Sequence, residues 1–259
     1  RQTILPKIAG GEAYFCIGMS EPNSGSDLAS VQTKATKTEG GWLLNGTKLW
    51  TSGAHISHYM IALVRTTPVD PKNRHAGLSQ MIVDLTLPGI EIKPVINLSG
   101  DHHFNEEVFT DCFIPDEMVI GEVGNGWAQV MSELGYERSG PERFLSTFQL
   151  FAELVDSVGD DPSDHEAQVI GRLASQLIVL RQMSLSVAGM LGRGEVPVAE
   201  ATIVKDLGTN YCKLVPDLSR TILDAMPSQR STIAYEATLA SAILTVPSLT
   251  IQGGTREIL

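Results

Sequence analysis

Three short polar stretches carry the residue types that can do chemistry. The first is Ser20-Glu21-Pro22-Asn23-Ser24-Gly25-Ser26-Asp27, directly after the apolar run Tyr14–Met19. Small residues and a glycine let backbone N–H groups come close to a ligand and bind an anion or a carbonyl oxygen. The same composition also makes an ordinary turn. The second is Tyr136-Glu137-Arg138-Ser139-Gly140-Pro141-Glu142-Arg143. A carboxylate beside an Arg on a helix is usually a solvated ion pair. Pro141, however, cannot donate to the carbonyl of Glu137, so a helix running through must kink or loosen there. Glu137 and Glu142 lie roughly 140° apart around a helix, so at most one faces a given ligand. The third is Gln252-Gly253-Gly254-Thr255-Arg256-Glu257. Two glycines there read as a helix C-cap or tight turn, with anion or carbonyl binding by the freed N–H groups as the alternative.

The elements that must position these stretches change character near residue 125. Before it, strand and turn signals dominate. Asn45-Gly46 lies between Trp42-Leu43-Leu44 and Thr47-Lys48-Leu49-Trp50, a strong hairpin signal. Further strands are expected over Tyr59–Arg65, Leu78–Leu85, Ile90–Leu98 and Val108–Ile114, punctuated by Pro68, Pro71, Pro88, Gly89 and Pro115. These make an antiparallel sheet or barrel of about 110 residues. After residue 125 the pattern is helical. Trp127, Val130, Met131 and Leu134 form one apolar face. Ser163-x-x-Glu166 is a capping box opening the run Ala167–Met190, and Val198–Leu214 and Thr232–Leu244 give two more helices. Four helices predict an antiparallel bundle, with Asp156–Asp164 as a polar loop. The fold class is therefore α+β, a β-domain over residues 14–124 followed by a helical bundle over 125–259.

Composition excludes several function classes. Hydrophobic residues are 42% and charged residues 19% of 259, a globular balance. Nineteen Lys and Arg against 30 Asp and Glu give a net charge of −11, with no basic run, which argues against nucleic acid or an anionic membrane surface. No apolar run reaches the ~18 residues of a membrane span, and Arg1-Gln2-Thr3 opens no signal peptide. Cys16, Cys112 and Cys212 lie far apart without Cys-x-x-Cys spacing, so neither a disulfide scaffold nor a zinc knuckle is expected and a cytoplasmic setting is. His102-His103 are adjacent and no HExxH occurs, so no metal site is expected.

Taken together, the motifs resemble the acyl-CoA dehydrogenase family across essentially the whole chain. Residues 20–27 resemble the family's Thr-Glu-Pro-x-x-Gly-Ser-Asp flavin stretch. Asn45-Gly46-Thr47-Lys48-Leu49-Trp50-Thr51-Ser52 resembles its Asn-Gly-x-Lys-x-Trp-Ile-Thr segment. Phe109–Pro115 followed by Gly121 resembles its Phe-x-x-x-x-Val-Pro then Gly junction. The resemblance implies a middle β-domain and a C-terminal four-helix bundle. Residues 1–13 would be the tail of the family's N-terminal helical domain. That domain is otherwise absent from this sequence, which also stops soon after Gly-Gly-Thr, so the chain is expected to be part of a longer product.

The resemblance also implies FAD as cofactor and dehydrogenation of an acyl-CoA thioester to the trans-2-enoyl-CoA. A carboxylate takes the α-proton while the β-hydrogen leaves as hydride to flavin N5. By match, Ile17, Gly18, Met19, Ser20, Ser26, Trp50, Thr51, Ser52, Thr255 and Glu257 would touch FAD. Ser26, Gly135, Tyr136, Arg138 and Gly254 would touch substrate, and the loop Lys72–His75 the CoA phosphates. Most members place the base in a Tyr-Glu-Gly-Thr motif, where this chain has Gly253. The isovaleryl and long-chain types place it on the first bundle helix, and aligning Gly126–Arg138 there puts Glu137 at the base position, with Glu142 as runner-up.

The Arg-x-x-Phe-Gly motif that holds a neighbouring subunit's FAD pyrophosphate is missing. Its expected region is acidic and would repel a pyrophosphate. A homo- or hetero-oligomer is expected, hetero favoured, of the kind that degrades sterol side chains and bulky acyl groups. An electron-transferring flavoprotein would be the acceptor. Three readings stand: a catalytic subunit of lipid β-oxidation or steroid metabolism, a non-catalytic subunit of a heteromer, and a related flavoprotein oxidase.

Overall fold

The structure, a computed structural model, describes residues 2–259, which divide into one unit ending at Met131 and a second spanning Ser132–Leu259. The first unit begins with a short helix, α1 (Leu5–Ala9), and then builds a sheet. Its strands are β1 (Phe15–Gly18), β2 (Lys34–Thr38), β3 (Gly41–Ser52), β4 (Tyr59–Arg65), β5 (Leu78–Asp84), β6 (Ile90–Ile96), β7 (His102–Pro115) and β8 (Val119–Ile120). The order is β6-β7-β3-β2-β4-β5-β8, an open path, with β1 joined to β4. The sheet is mixed rather than antiparallel throughout. β1 runs parallel to β4, and Lys34 of β2 meets Arg65 of β4 in parallel register. Trp42, Leu44, Met60, Ala62, Val64, Met81, Val83, Phe109 and Ile114 bury one face as a common core.

The Asn45-Gly46 hairpin does not form. β3 continues through it, and the β2–β3 turn is made instead at Glu39-Gly40, with Gly40 at φ +71°. Asn45 lies opposite a bulge on β7, where Asp111 takes φ +48°. The two side chains close the irregularity: Asn45 Nδ2 donates to Asp111 Oδ1 at 2.9 Å, and the Asp111 N–H to Asn45 Oδ1 at 3.0 Å. Gly46 is needed because a Cβ there would lie 2.6 Å from Thr33 Cα. Local turn chemistry lost here to cross-strand pairing along a long strand.

Helix α2 (Gly126–Arg138) runs from the first unit into the second. It stops at Arg138, as Pro141 requires. The second unit continues with α3 (Glu142–Leu145), α4 (Phe148–Val158), α5 (Asp164–Gly192), α6 (Val198–Ile222) and α7 (Ala234–Leu249). The capping box is present: Ser163 N–H donates to Glu166 Oε2 at 2.7 Å, and the Glu166 N–H returns to Ser163 Oγ at 3.4 Å. Leu150, Leu154, Leu173, Leu180, Tyr211, Val215, Leu239 and Val246 join α4, α5, α6 and α7 in one core, so the four-helix bundle includes α4, which the sequence pattern did not give, while no described α2 residue enters this core. Asp156 belongs to α4 and Asp164 to α5, so the polar loop is shorter than expected. Among the described residues no helix is long and apolar enough to cross a membrane, and no metal-ligand cluster occurs.

Candidate functional site

In the first unit, the Ser20–Asp27 stretch folds as a turn tied to the sheet beneath it. The Glu21 N–H donates to the Ser24 carbonyl at 2.8 Å, and Ser24 Oγ donates to the Asp27 carbonyl at 2.9 Å. Its anchor is Lys48, whose position on β3 turns its side chain inward until it is fully buried. Lys48 Nζ donates to Glu21 Oε1 and to the Met19 carbonyl, each at 2.9 Å. Glu21 also accepts the N–H groups of Gln32 at 2.7 Å and Thr33 at 2.9 Å. Burial pushes the Lys48 ammonium down to about 8, against the pull of Glu21. Burial raises the Glu21 carboxyl too, but the Lys48 charge and the hydrogen bonds outweigh it and hold it below its ordinary value. A buried pair is tolerable only with its remaining valences filled in this way.

The next ledge of this unit is Trp50. It is the extra residue of a bulge, since Leu49 pairs with Glu106 and Thr51 with Asn105. Trp50 takes φ +67° and stays 56% exposed, its ring edge-on to Phe104 at 5.7 Å. Ser52 is exposed beyond it, while Thr51 turns inward and is buried. Ile17 on β1 and Ser26 are exposed, and Gly18 is buried, where a Cβ would lie 2.4 Å from Met60 Sδ. A flat heteroaromatic ring fits such a ledge, an aromatic face with hydroxyl and peptide groups beside it. Trp50, Ser52 and the peptide groups of Ile17–Ser20 are therefore the residues suited to hold an isoalloxazine. The Thr51 hydroxyl points into the core, where it donates to Glu107 Oε2 at 2.6 Å, so only its backbone faces the ledge. In the second unit, the α4–α5 loop carries no Lys or Arg, and Asp160 and Asp161 are exposed there.

The second unit gathers a separate cluster at the end of α2. Arg143, only 6% exposed, is ion-paired through Nη2 with Glu137 Oε1, and its Nε donates to the Glu137 carbonyl at 3.3 Å. Pro141 cannot supply this carbonyl's i+4 donor, and it accepts the Gly140 N–H at 3.3 Å as well. Glu142 Oε1 lies 3.9 Å from the same Nε and is the more exposed carboxylate. Arg138 Nε donates to the Gly253 carbonyl at 2.9 Å. Lys205, buried on α6, donates to the carbonyls of Thr250 at 3.2 Å and Gly254 at 2.6 Å. Burial pushes Lys205 down from its ordinary value, and the nearby Arg143 charge adds to this. Burial also lowers Arg138.

The Gly253-Gly254 turn is thereby gripped from two helices. Both glycines take positive φ, +67° and +102°. A Cβ on Gly253 would sit 3.4 Å from Glu137 Oε1 and 3.5 Å from Arg143 Nη2, so the turn lies beside the ion pair with room for no more than a methyl group between them. Thr255 and Glu257 follow in the next turn, where the Thr255 carbonyl accepts the Ile258 N–H at 3.0 Å. Tyr136 is 61% exposed, and space lies open at Gly135. The structure thus brings Glu137, Arg138, Gly253 and Gly254 together. Sequence reasoning did not single out Arg143, Lys205, Lys48 or Glu107. Lys205 had a legible signal: it occupies a core position in the series Ala201, Val204, Gly208, Tyr211, Cys212, Val215.

Residues 16–112 match the acyl-CoA dehydrogenase middle domain family. The chain is 36% identical over 262 residues to acyl-CoA dehydrogenase FadE34 of Mycobacterium tuberculosis, covering all of this chain and 35% of that protein. It is 30% identical over 269 residues to acyl-CoA dehydrogenase FadE29 of the same organism, covering all of this chain and 68% of that one. Among solved structures, a variant of the Tcur3481-Tcur3483 steroid ACAD superposes with TM-score 0.86 at 25% identity, over 99% of this chain and 69% of that one. The chain therefore spans about a third of FadE34 and about two thirds of FadE29.

Proposed function

The chain belongs to the acyl-CoA dehydrogenase family, and on that premise we propose that it takes part in α,β-dehydrogenation of an acyl-CoA thioester with Glu137 as the α-proton base. The observation that carries this is the nearness of the Gly253 position to the Glu137 carboxylate. Gly253 occupies the motif position where most members carry their base, and its missing side chain leaves space beside Glu137 Oε1. The carboxylate on α2 reaches the neighbourhood that the other carboxylate would fill.

Each residue then has a chemical task. Arg143, buried and fixed, holds the Glu137 carboxylate in one orientation, while the side chain stays 41% exposed and open to a substrate. The α-proton passes to a Glu137 carboxylate oxygen. Negative charge develops on the thioester carbonyl and needs donors already in place. Peptide N–H groups of the Gly253-Gly254 turn supply them, and Lys205 and Arg138 fix that turn through its carbonyls. FAD, when bound, accepts the β-hydrogen as hydride. Trp50, Ser52 and the Met19–Ser20 peptide groups would cover and orient its ring, with Thr255 and Glu257 as further contacts.

The acidic α4–α5 loop and the missing Arg-x-x-Phe-Gly favour a heteromer whose related partner supplies the phosphate-side cations. Similarity to the steroid ACAD supports a bulky or steroid acyl group, and an electron-transferring flavoprotein would take the electrons in the cytoplasm. Cys16, Cys112 and Cys212, all free and buried, suit that compartment. The test is an anaerobic titration of the purified protein, with any co-purifying chain, against a panel of acyl-CoA thioesters. Bleaching of the flavin by one acyl class supports the reading. Bound flavin that no thioester bleaches overturns it in favour of a non-catalytic subunit, and peroxide release in air would favour an oxidase.

A further inference from the structure

Glu107 is a carboxyl group in the core that the reaction does not use. It is fully buried on β7, opposite Lys48. Its Oε2 accepts the Thr51 hydroxyl at 2.6 Å, and its Oε1 has no hydrogen-bond partner. It is not required to neutralise Lys48, which already donates to Glu21 and Met19. An apolar side chain would fill the place without an orphaned oxygen, so the Thr51 bond is what the carboxyl provides.

Thr51 is held at a second point. Asn105, also fully buried, donates through Nδ2 to the Thr51 carbonyl at 3.0 Å. Asn105 Oδ1 in turn meets His102 Nε2 at 2.7 Å and His55 Nδ1 at 3.2 Å, which fixes the amide's orientation. One residue before this doubly held Thr51 stands Trp50 at φ +67°. A residue with a Cβ disfavours that backbone, and it persists only where the surroundings over-determine it. Here the surroundings are the β7 pairs on either side, Leu49 with Glu106 and Thr51 with Asn105, and the Glu107 and Asn105 side-chain bonds to Thr51.

We propose that Glu107 is a positioning residue: together with Asn105 it clamps Thr51 and so keeps Trp50 in the bulged, left-handed conformation that presents its indole outward. That the indole meets a flavin rests on the function proposed above; the clamp itself does not.

The test reads Trp50 directly, by fluorine NMR of fluorotryptophan-labelled full-length protein, with Trp50→Phe assigning its line. Glu107→Gln keeps an acceptor for the Thr51 hydroxyl and should leave the Trp50 line in place. Glu107→Leu and Thr51→Val remove the bond from either side, and both should shift the line or lose its single sharp form. The lines of Trp42 and Trp127 should stay put and report folding. An unmoved Trp50 line in a folded Glu107→Leu or Thr51→Val protein overturns the clamp. If Glu107→Leu does not fold, Thr51→Val decides alone. Adding FAD to the wild type separates the two proposals: a Trp50 line that ignores FAD but moves in Glu107→Leu keeps the clamp and removes the flavin contact.

Discussion

Replacing Lys48 by Met should be among the most damaging single changes in the first unit. The ammonium is fully buried and neutralises Glu21 while capping the Met19 carbonyl. Removing one partner of a buried pair strands the other charge, at about 3–5 kcal/mol. Glu21 keeps the N–H groups of Gln32 and Thr33, so the low end, about 3 kcal/mol, applies here. At about 2–4 °C per kcal/mol for a chain of this size, the midpoint should fall by about 6–12 °C. Burial works against the Lys48 side of the pair, holding the ammonium at about 8 against an ordinary 10.5, while Lys48 and the hydrogen bonds hold Glu21 below its ordinary value. Glu21→Gln with Lys48→Met should therefore recover much of the loss. Thermal unfolding followed by circular dichroism at neutral pH reads both. A Lys48→Met midpoint within a couple of degrees of wild type, or a double variant as unstable as the single, would refute the reasoning.

Other outcomes follow from the same geometry. Glu107 is pushed up to about 7, chiefly by burial, from an ordinary 4.5. The folded state therefore binds the extra proton between those values, and stability should fall as pH rises from about 4.5 to about 7. Glu107→Gln removes that slope and should be more stable than wild type at pH 8, by up to about 3 kcal/mol, in denaturant titrations at both ends. Gly253→Ala meets a positive φ and a Cβ 3.4 Å from Glu137 Oε1, so flavin reduction by substrate should slow, and the backbone conformation alone should cost about 1–2 kcal/mol of stability. Lys205→Met frees the carbonyls of Thr250 and Gly254, and should raise amide exchange in residues 250–255 while leaving α4 and α5 protected.

Much of this was legible in the residues. Ser163 and Glu166 announce the start of α5 because the capping box is a local device whose two bonds need only that helix. β4 runs over Tyr59–Arg65 as its apolar pattern indicates. What failed was non-local. Asn45-Gly46 carries hairpin chemistry, but β7 pairs along the whole of β3, with Asn45 opposite a β7 bulge and Gly46 paired with Phe109. The parallel joining of β1 to β4 has no local signature at all. At the candidate site, Glu137 was singled out by the family resemblance, on aligning Gly126–Arg138 with the first bundle helix, while helix position and Pro141 alone left Glu137 and Glu142 open. Arg143 and Lys205 become visible only once the Gly253-Gly254 turn is seen folded against them.

The central claim is that Glu137 takes the α-proton, and isotope exchange measures that step. The protein, with any partner that co-purifies, is incubated in deuterated water with the acyl-CoA class that bleaches its flavin, and deuterium at the α-carbon is followed by mass spectrometry. Wild type should exchange the α-proton, and Glu137→Gln should bind FAD and thioester without exchange, while Glu142→Gln keeps it. Exchange undiminished in Glu137→Gln, or abolished only in Glu142→Gln, would contradict the assignment.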